Sequence, residues 1–255
     1  MKAILTDTTK CVGCRECVVA CKKRHDLENA VPRRWNSDDG LSARNWTSIV
    51  EKPEKKYIRK QCRHCLEPAC VSACPVGALR KNKDGAVVYD GDKCMGCRYC
   101  MMACPYGIPR YDWDQQIPYV RKCILCAEHV AKGEEPACTE TCPTQATIFG
   151  DRDELLAEAR RRIKGNPNKY IDRIWGEHEI GGSQVLYISD TDLSCLSYGQ
   201  HLGDKPLPER TSTAMKAVPF AFVGMGSVMA GVSWVIGRRM ENQRRKNDQE
   251  GTDNE

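Results

Sequence analysis

The residues that can do chemistry in this 255-residue chain are its cysteines, seventeen in all. Sixteen fall into four runs of four. Cys11-x2-Cys14-x2-Cys17-x3-Cys21 opens the chain. Cys62-x2-Cys65-x4-Cys70-x3-Cys74-Pro75 and Cys94-x2-Cys97-x2-Cys100-x3-Cys104-Pro105 occupy its middle. Cys123-x2-Cys126-x11-Cys138-x3-Cys142-Pro143 ends the series. Closely spaced thiolates in threes, followed by a fourth behind a stiff Pro turn, suit the corners of an iron–sulfur cubane. Two plainer chemistries compete. A disulfide framework suits shorter secreted chains, and the opening Met1-Lys2-Ala3-Ile4-Leu5-Thr6 is no signal peptide. Zinc favours two C-x2-C pairs across a loop, which only the last run resembles. Four repeats, three with Cys-Pro, point to iron.

The third run has the spacing of bacterial two-cluster ferredoxins, in which the fourth Cys serves the neighbouring cluster. That crossing implies Cys62, Cys65, Cys70 and Cys104 on one [4Fe-4S] cluster and Cys94, Cys97, Cys100 and Cys74 on its partner. The flanking runs repeat the device, with Cys11, Cys14, Cys17 and Cys142 on one cluster and Cys123, Cys126, Cys138 and Cys21 on the other. The expected fold is α+β: two 2×[4Fe-4S] ferredoxin modules, one nested in the other, then a single C-terminal transmembrane helix. The outer module takes residues 1–56 and 106–213, the inner one 57–105, the membrane helix 214–238, and a basic-then-acidic tail 239–255. Cys195 lies outside every run and reads as a free structural thiol.

Few large apolar residues stand outside the tail, with three Phe in all. Cluster binding must then supply much of the folding energy, and the iron-free chain is not expected to fold.

The elements that position the thiols are short. A strand is expected over residues 1–10, and Val18, Val19 and Ala20 suit the turn of helix after a cluster loop. Residues 22–61 read as a polar, irregular surface insertion, with Trp35 and Trp46 either anchoring a partner or packing as a satellite core. Tyr57-Ile58-Arg59-Lys60 suits a strand. Ala78-Leu79-Arg80 and Ala86-Val87-Val88-Tyr89 around Asn82-Lys83-Asp84-Gly85 signal a hairpin. Thr147-Ile148-Phe149 reads as a closing strand. Asp151 with Glu154 forms a capping box for a helix with Leu155, Leu156, Ala159 and Ile163 inward, a basic end at Arg160 to Lys164, and a stop at Gly165 and Pro167. Val185 to Ile188 is a further strand.

Ala217 to Gly237 holds 21 residues without a charge. At about 1.5 Å per residue a helix here spans about 31 Å, one hydrocarbon core, with Pro219 expected in its first turn. Gly226, Ser227, Ala230 and Gly231 present small residues four apart. Arg238, Arg239, Arg244, Arg245 and Lys246 outweigh Lys205, Arg210 and Lys216, so the tail is expected in the cytoplasm and the cluster domain outside. Such a domain would cross as passenger of a partner carrying a twin-arginine signal; Arg33-Arg34 has no apolar stretch after it.

No Ser/His/Asp set, phosphate loop or dinucleotide fingerprint is present, so the chain reads as an electron carrier without a catalytic site. His64 either tunes a cluster or is a polar surface neighbour. Lys60, Arg63, Lys93, Arg98, Arg121 and Lys122 crowd the runs, where positive charge raises cluster potentials or simply meets solvent. The net charge of +5 forms no nucleic-acid stripe.

Longer stretches resemble a family: Cys11-Val12-Gly13-Cys14, Lys60-Gln61-Cys62-Arg63-His64-Cys65, Gly96-Cys97-Arg98-Tyr99-Cys100, Ala103-Cys104-Pro105-Tyr106, Glu135-Pro136-Ala137-Cys138, Ile148-Phe149-Gly150 and Gly181-Gly182-Ser183-Gln184-Val185. They are similar to the four-cluster iron–sulfur subunits of DMSO reductase-type and hydrogenase respiratory complexes, in particular the membrane-anchored subunits of periplasmic formate dehydrogenase and uptake hydrogenase. Some relatives carry Trp within the third run; here Cys97 is intact. The resemblance implies a bacterial inner-membrane complex. A large catalytic subunit, molybdopterin-type or else nickel–iron, would exchange electrons with the outer cluster pair. A membrane subunit with haem b or a quinone site would meet the inner pair. A soluble polyferredoxin whose tail is only a docking helix is the alternative.

Overall fold

The computed structural model describes residues 1–27, 39–113, 119–196 and 202–252, without the side chains of 195 and 246–252. Trp35, the Arg33-Arg34 pair and the side chain of Cys195 lie outside it. Residues through Pro208 form one compact unit and Glu209 onward a second.

Strand β1 (Lys2–Asp7) lies at the centre of a three-stranded sheet. It pairs antiparallel with β8 (Thr147–Asp151), Ile4 opposite Phe149, and parallel with β9 (Val185–Ile188), Ile4 opposite Val185. Successive side chains alternate faces, and both faces are covered. Ala3, Leu5, Leu186 and Ile188 pack against Leu155, Leu156, Ala159 and Ile163 of helix α6 (Arg152–Gly165). Ile4, Val185 and Tyr187 face the other way, into a core that contains Cys17, Cys62 and Cys138. The sheet therefore separates an ordinary hydrophobic layer from the thiol-bearing loops.

The sequence reading of α6 holds for its inward face and its stop, but not for its cap. Asp151 precedes the helix without a side-chain hydrogen bond to it. Its carboxylate accepts instead from Lys2 Nζ at 3.1 Å, because the β1–β8 register sets Lys2 opposite Asp151.

The described part of the insertion over residues 22–61 is more regular than expected. It contains β2 (Thr47–Lys52), paired antiparallel with β3 (Lys56–Gln61) from Thr47–Gln61 to Lys52–Lys56, and it buries Leu41 and Ala43. The connecting turn uses Glu54 and Lys55 at positive φ, 64° and 56°. No glycine marks it, so its sequence carries no turn signature. Trp46 packs locally, its ring 4.9 Å from His25 and its Nε1 donating to Ala43 O.

The predicted hairpin forms as β4 (Leu79–Lys81) and β5 (Val87–Tyr89), with Gly85 at φ 95° in its turn. Gln184 Nε2 donates to Asp84 O at 3.1 Å, tying this hairpin to the residue before β9. A further short pair, β6 (Arg110–Tyr111) with β7 (Val120–Arg121), follows.

The second unit is helical: α7 runs unbroken over Leu207–Thr252. It contains a segment long and apolar enough to cross a membrane. It starts earlier than the expected 214, so Pro219 stands inside the helix rather than in its first turn.

Candidate iron–sulfur centres

The thiols are presented by two kinds of loop, each used twice. In the first and third runs a glycine at positive φ (Gly13, 71°; Gly96, 76°) precedes a left-handed arginine (Arg15 and Arg98, both 63°). That arginine opens α1 (Glu16–Arg24) or α3 (Tyr99–Ala103). Glycine at 13 is also demanded by space, since a Cβ there would sit 2.5 Å from the Tyr57 ring. In the second and fourth runs the reversal falls on His64 (49°) or on Leu125 and Cys126 (58° and 47°). Proline then starts a short helix, Pro68 before α2 (Ala69–Ser72) and Pro136 before α5 (Ala137–Glu140). A further turn, α4 (Ala127–Val130), fills the longer loop. Runs one and three thus share one loop kind, and runs two and four the other.

All sixteen quartet cysteines are free thiols, which removes the disulfide framework. The groups in which they meet are visible in their electrostatics. Burial, then Cys62, Cys104 and Cys70, push the Cys65 thiol far up. Burial, then Cys94, Cys74 and Cys97, push Cys100 up to about 11. Cys11 is raised by burial and by Cys142 and Cys14. Burial, then Cys123, Cys138 and Cys126, raise Cys21 strongly. Neighbouring groups also meet: Cys138 acts on Cys17, raised to about 11 chiefly by burial, and Cys62 acts on Cys123.

Among the described residues, no three His, Cys, Asp or Glu side chains converge as they would on a single ion. Zinc–sulfur bonds of about 2.3 Å would bring the thiolates of one site within about 4 Å of one another. Thiols close enough to perturb each other yet not converging on one point suit a polynuclear core. Gln61 Nε2 and His64 Nε2, on either side of Cys62, are among the buried donors with no acceptor among the described residues. An acceptor-rich sulfide core answers both.

The backbone already donates to several sulfurs. Leu125 N lies 3.4 Å from Cys123 Sγ, and backbone N–H groups of Gly13, Met101 and Ala137 lower the thiols of Cys11, Cys100 and Cys126 against the larger effect of burial. Such bonds stabilise thiolate and raise cluster potentials.

His64 is fully buried, contrary to the surface reading. Its Nδ1 accepts from Val87 N at 2.9 Å. Burial, with Lys122 and Lys81 nearby, lowers its pKa and keeps the ring neutral. Lys93 is largely exposed beside Asp90, whereas three other basic residues are internal. Lys60 Nζ pairs with Asp39 at 2.8 Å. The Arg63 guanidinium stacks between Tyr106 and Tyr187, at 5.5 and 4.6 Å. Lys122 Nζ donates to Val87 O and Cys123 O. Arg98 lies 4.4 Å over Trp113 and Arg121 5.9 Å over Tyr119.

Two residues that the sequence did not single out touch sulfur. His25 Nε2 lies 3.3 Å from Cys126 Sγ, and Arg59 Nη2 donates to Cys138 Sγ at 3.1 Å. His25 follows the first run and meets the fourth only through the fold. Arg59 is one of several cations in its strand, and only β2–β3 pairing turns it inward.

Comparison with known proteins agrees with this chemistry. Two 4Fe-4S dicluster domain models match, over residues 53–152 and 10–78, and together they take in every quartet cysteine. The two dicluster domains imply four [4Fe-4S] clusters. The chain is 36% identical to the hydrogenase-2 operon protein HybA of Escherichia coli O157:H7, over 94% of this chain and 85% of that one. It is 34% identical to the formate dehydrogenase-O iron–sulfur subunit of Escherichia coli K12, over 89% and 80%. It is 41% identical to the B subunit of anaerobic dimethyl sulfoxide reductase of the same strain, over 58% and 73%. Dicluster loops, free thiols in groups of four and near-full-length relatives place this chain in the family of iron–sulfur subunits of respiratory oxidoreductases.

Proposed function

We propose that this chain carries electrons between a catalytic subunit and a membrane subunit, on four [4Fe-4S] clusters held in the crossed pattern. Cys11, Cys14, Cys17 and Cys142 hold the first, and Cys123, Cys126, Cys138 and Cys21 the second. Cys62, Cys65, Cys70 and Cys104 hold the third, and Cys94, Cys97, Cys100 and Cys74 the fourth. The observation that carries the reading is the grouping of thiols: the fourth cysteine of one run acts on a thiol of another, as Cys104 does on Cys65, Cys142 on Cys11 and Cys74 on Cys100. The two outer runs include one loop of each kind and so do the two inner runs, as a nested arrangement requires. Bound clusters supply one-electron transfer. The protein's part is to exclude water from the sulfurs, fix their spacing and surround them with donors. Cys123, raised chiefly by burial and then by Cys62 across the two pairs, marks the junction between outer and inner modules.

The terminal partners are a large subunit of molybdopterin type, as the formate dehydrogenase and dimethyl sulfoxide reductase relatives suggest, and a cytochrome b or quinone-reactive membrane subunit. Oxidation of formate or another periplasmic donor, with electrons passing to quinone, is the favoured direction. A nickel–iron hydrogenase partner is the second reading, favoured by the HybA match. The apolar segment of α7 anchors the complex, with its basic tail in the cytoplasm and the cluster domain in the periplasm.

Mild-detergent purification tests this. The expected preparation holds about sixteen iron per chain, four cubanes of four, interacting reduced centres in low-temperature spin resonance, and a large molybdenum-bearing subunit. A nickel-bearing partner selects the second reading, and zinc in place of iron refutes both. Carbonate extraction that releases the chain assigns it to a soluble polyferredoxin instead.

A further inference from the structure

Buried charge is the feature that the cluster ligands alone do not absorb. Arg59 on β3 is 2% exposed, and among the described residues no carboxylate pairs with it. Its Nε and Nη1 donate to hydroxyl oxygens, Thr47 Oγ1 at 3.3 Å and Thr147 Oγ1 at 2.7 Å. Its Nη2 donates to Gln61 Oε1 and, at 3.1 Å, to Cys138 Sγ. An uncompensated guanidinium in a protein interior is strongly unfavourable, so a permanent anion must stand beside it. Neutral oxygens do not serve. Besides Cys138, whose sulfur it touches, the guanidinium has the thiols of Cys17 and Cys123 among its electrostatic neighbours.

Those cysteines divide between two clusters. Cys17 belongs to the first, and Cys123 and Cys138 to the second. We propose that Arg59 is the internal counter-cation shared by both outer clusters, a positioning residue whose fixed charge and Nη2–H···S bond favour their reduced states. The proposal rests on the crossed ligation given above. The two strands that meet only in the fold, β2 through Thr47 and β8 through Thr147, lock the planar fork at both ends. The charge therefore cannot swing to solvent. Extra electrons on either cluster meet a cation that needs no reorganisation. Lysine keeps the charge; glutamine keeps a polar end on a shorter stem without it.

The experiment is a potentiometric titration, followed by low-temperature spin resonance, of the full chain in its detergent-extracted complex. Wild type, Arg59→Lys and Arg59→Gln are compared. In Arg59→Gln, two of four clusters are expected to show about a tenfold fall in their reduced-to-oxidised ratio at fixed poise, ~59 mV for a one-electron couple. The other two stay within threefold, and Arg59→Lys stays within threefold at all four. The proposal is overturned if all four clusters move together, if none moves, or if lysine behaves as glutamine does. Should Arg59→Gln fail to load the outer clusters, iron content decides. Full loading of the lysine variant upholds the charge requirement, and equal loss in both rejects it. The ligation reading stands or falls separately: Cys17→Ser and Cys142→Ser must strike the same cluster, and Cys138→Ser a different one, in the otherwise unchanged protein.

Discussion

Crossed ligation has a consequence that counting iron can reach. Cys104 and Cys100 are near neighbours in sequence, yet the proposed ligation puts them on different clusters. Cys104 is raised by burial and by Cys62, with Lys122 opposing. Cys100 answers to Cys94, Cys74 and Cys97. Removing a thiol from a cubane costs its cluster, four iron of about sixteen. Cys62→Ser and Cys104→Ser should each leave about twelve iron per chain, and together still about twelve, because they strike one cluster. Cys97→Ser with Cys104→Ser strikes two and should leave about eight. Iron and protein are quantified on complexes purified in mild detergent, with spin resonance identifying the surviving centres. Ligation within each run predicts the reverse pattern: loss would add for Cys62 with Cys104 and not for Cys97 with Cys104. That outcome would falsify the ligand assignment, and with it the nested arrangement.

Three further expectations rest on other parts of the fold. Gly13→Ala meets the Tyr57 ring at 2.5 Å and a φ of 71°, at a cost of about 1–2 kcal/mol from the backbone alone; chelator should strip iron from it faster than from Gly77→Ala, which has φ 62° but open space, and equal rates would show that crowding by Tyr57 is irrelevant. Ile163→Ala empties a buried position between α6 and the sheet and should lower stability of the loaded protein by about 2–4 kcal/mol in urea unfolding, with the spin-resonance spectrum unchanged; an altered spectrum would mean that the two faces of the sheet are not independent. Tyr170 donates to the buried carboxylate of Asp7 at 2.9 Å, and burial together with Asp7 pushes its phenol above the usual 10.0. A raised pKa gives stability that is present below pH 10 and lost as pH rises through the folded value, so Tyr170→Phe should flatten the alkaline limb of the stability profile; an unchanged limb rejects that source.

The cysteine runs made the cofactor legible from spacing alone, because cubane ligation constrains sequence distance as strictly as it constrains geometry. The hairpin at Asn82 to Gly85, the inward face of α6 and strands β1, β8 and β9 were equally readable, each carried by apolar alternation or helical spacing. What escaped was decided by long-range pairing. The β2–β3 hairpin turns on Glu54 and Lys55 in left-handed conformations, residues with no turn signature. The capping role given to Asp151 was lost to Lys2, 149 positions away. His64, read as a surface residue or tuner, proved fully buried, and Arg59 and His25 acquire their sulfur contacts only when distant segments close. A string of basic residues does not declare which of its members faces inward.

The first strand lies between partners made much later. Cys11, Cys14 and Cys17 leave the ribosome roughly 130 residues ahead of Cys142, an interval of about 7–26 s at 5–20 residues per second. On the proposed crossed ligation the first sulfur cage stands half-finished throughout it, while β1 has neither neighbour. The inner quartets, only twenty residues apart, can close first. Biogenesis of such a chain therefore calls for late iron delivery, or for a guardian that shields the leading thiols until translation has supplied β8 and β9.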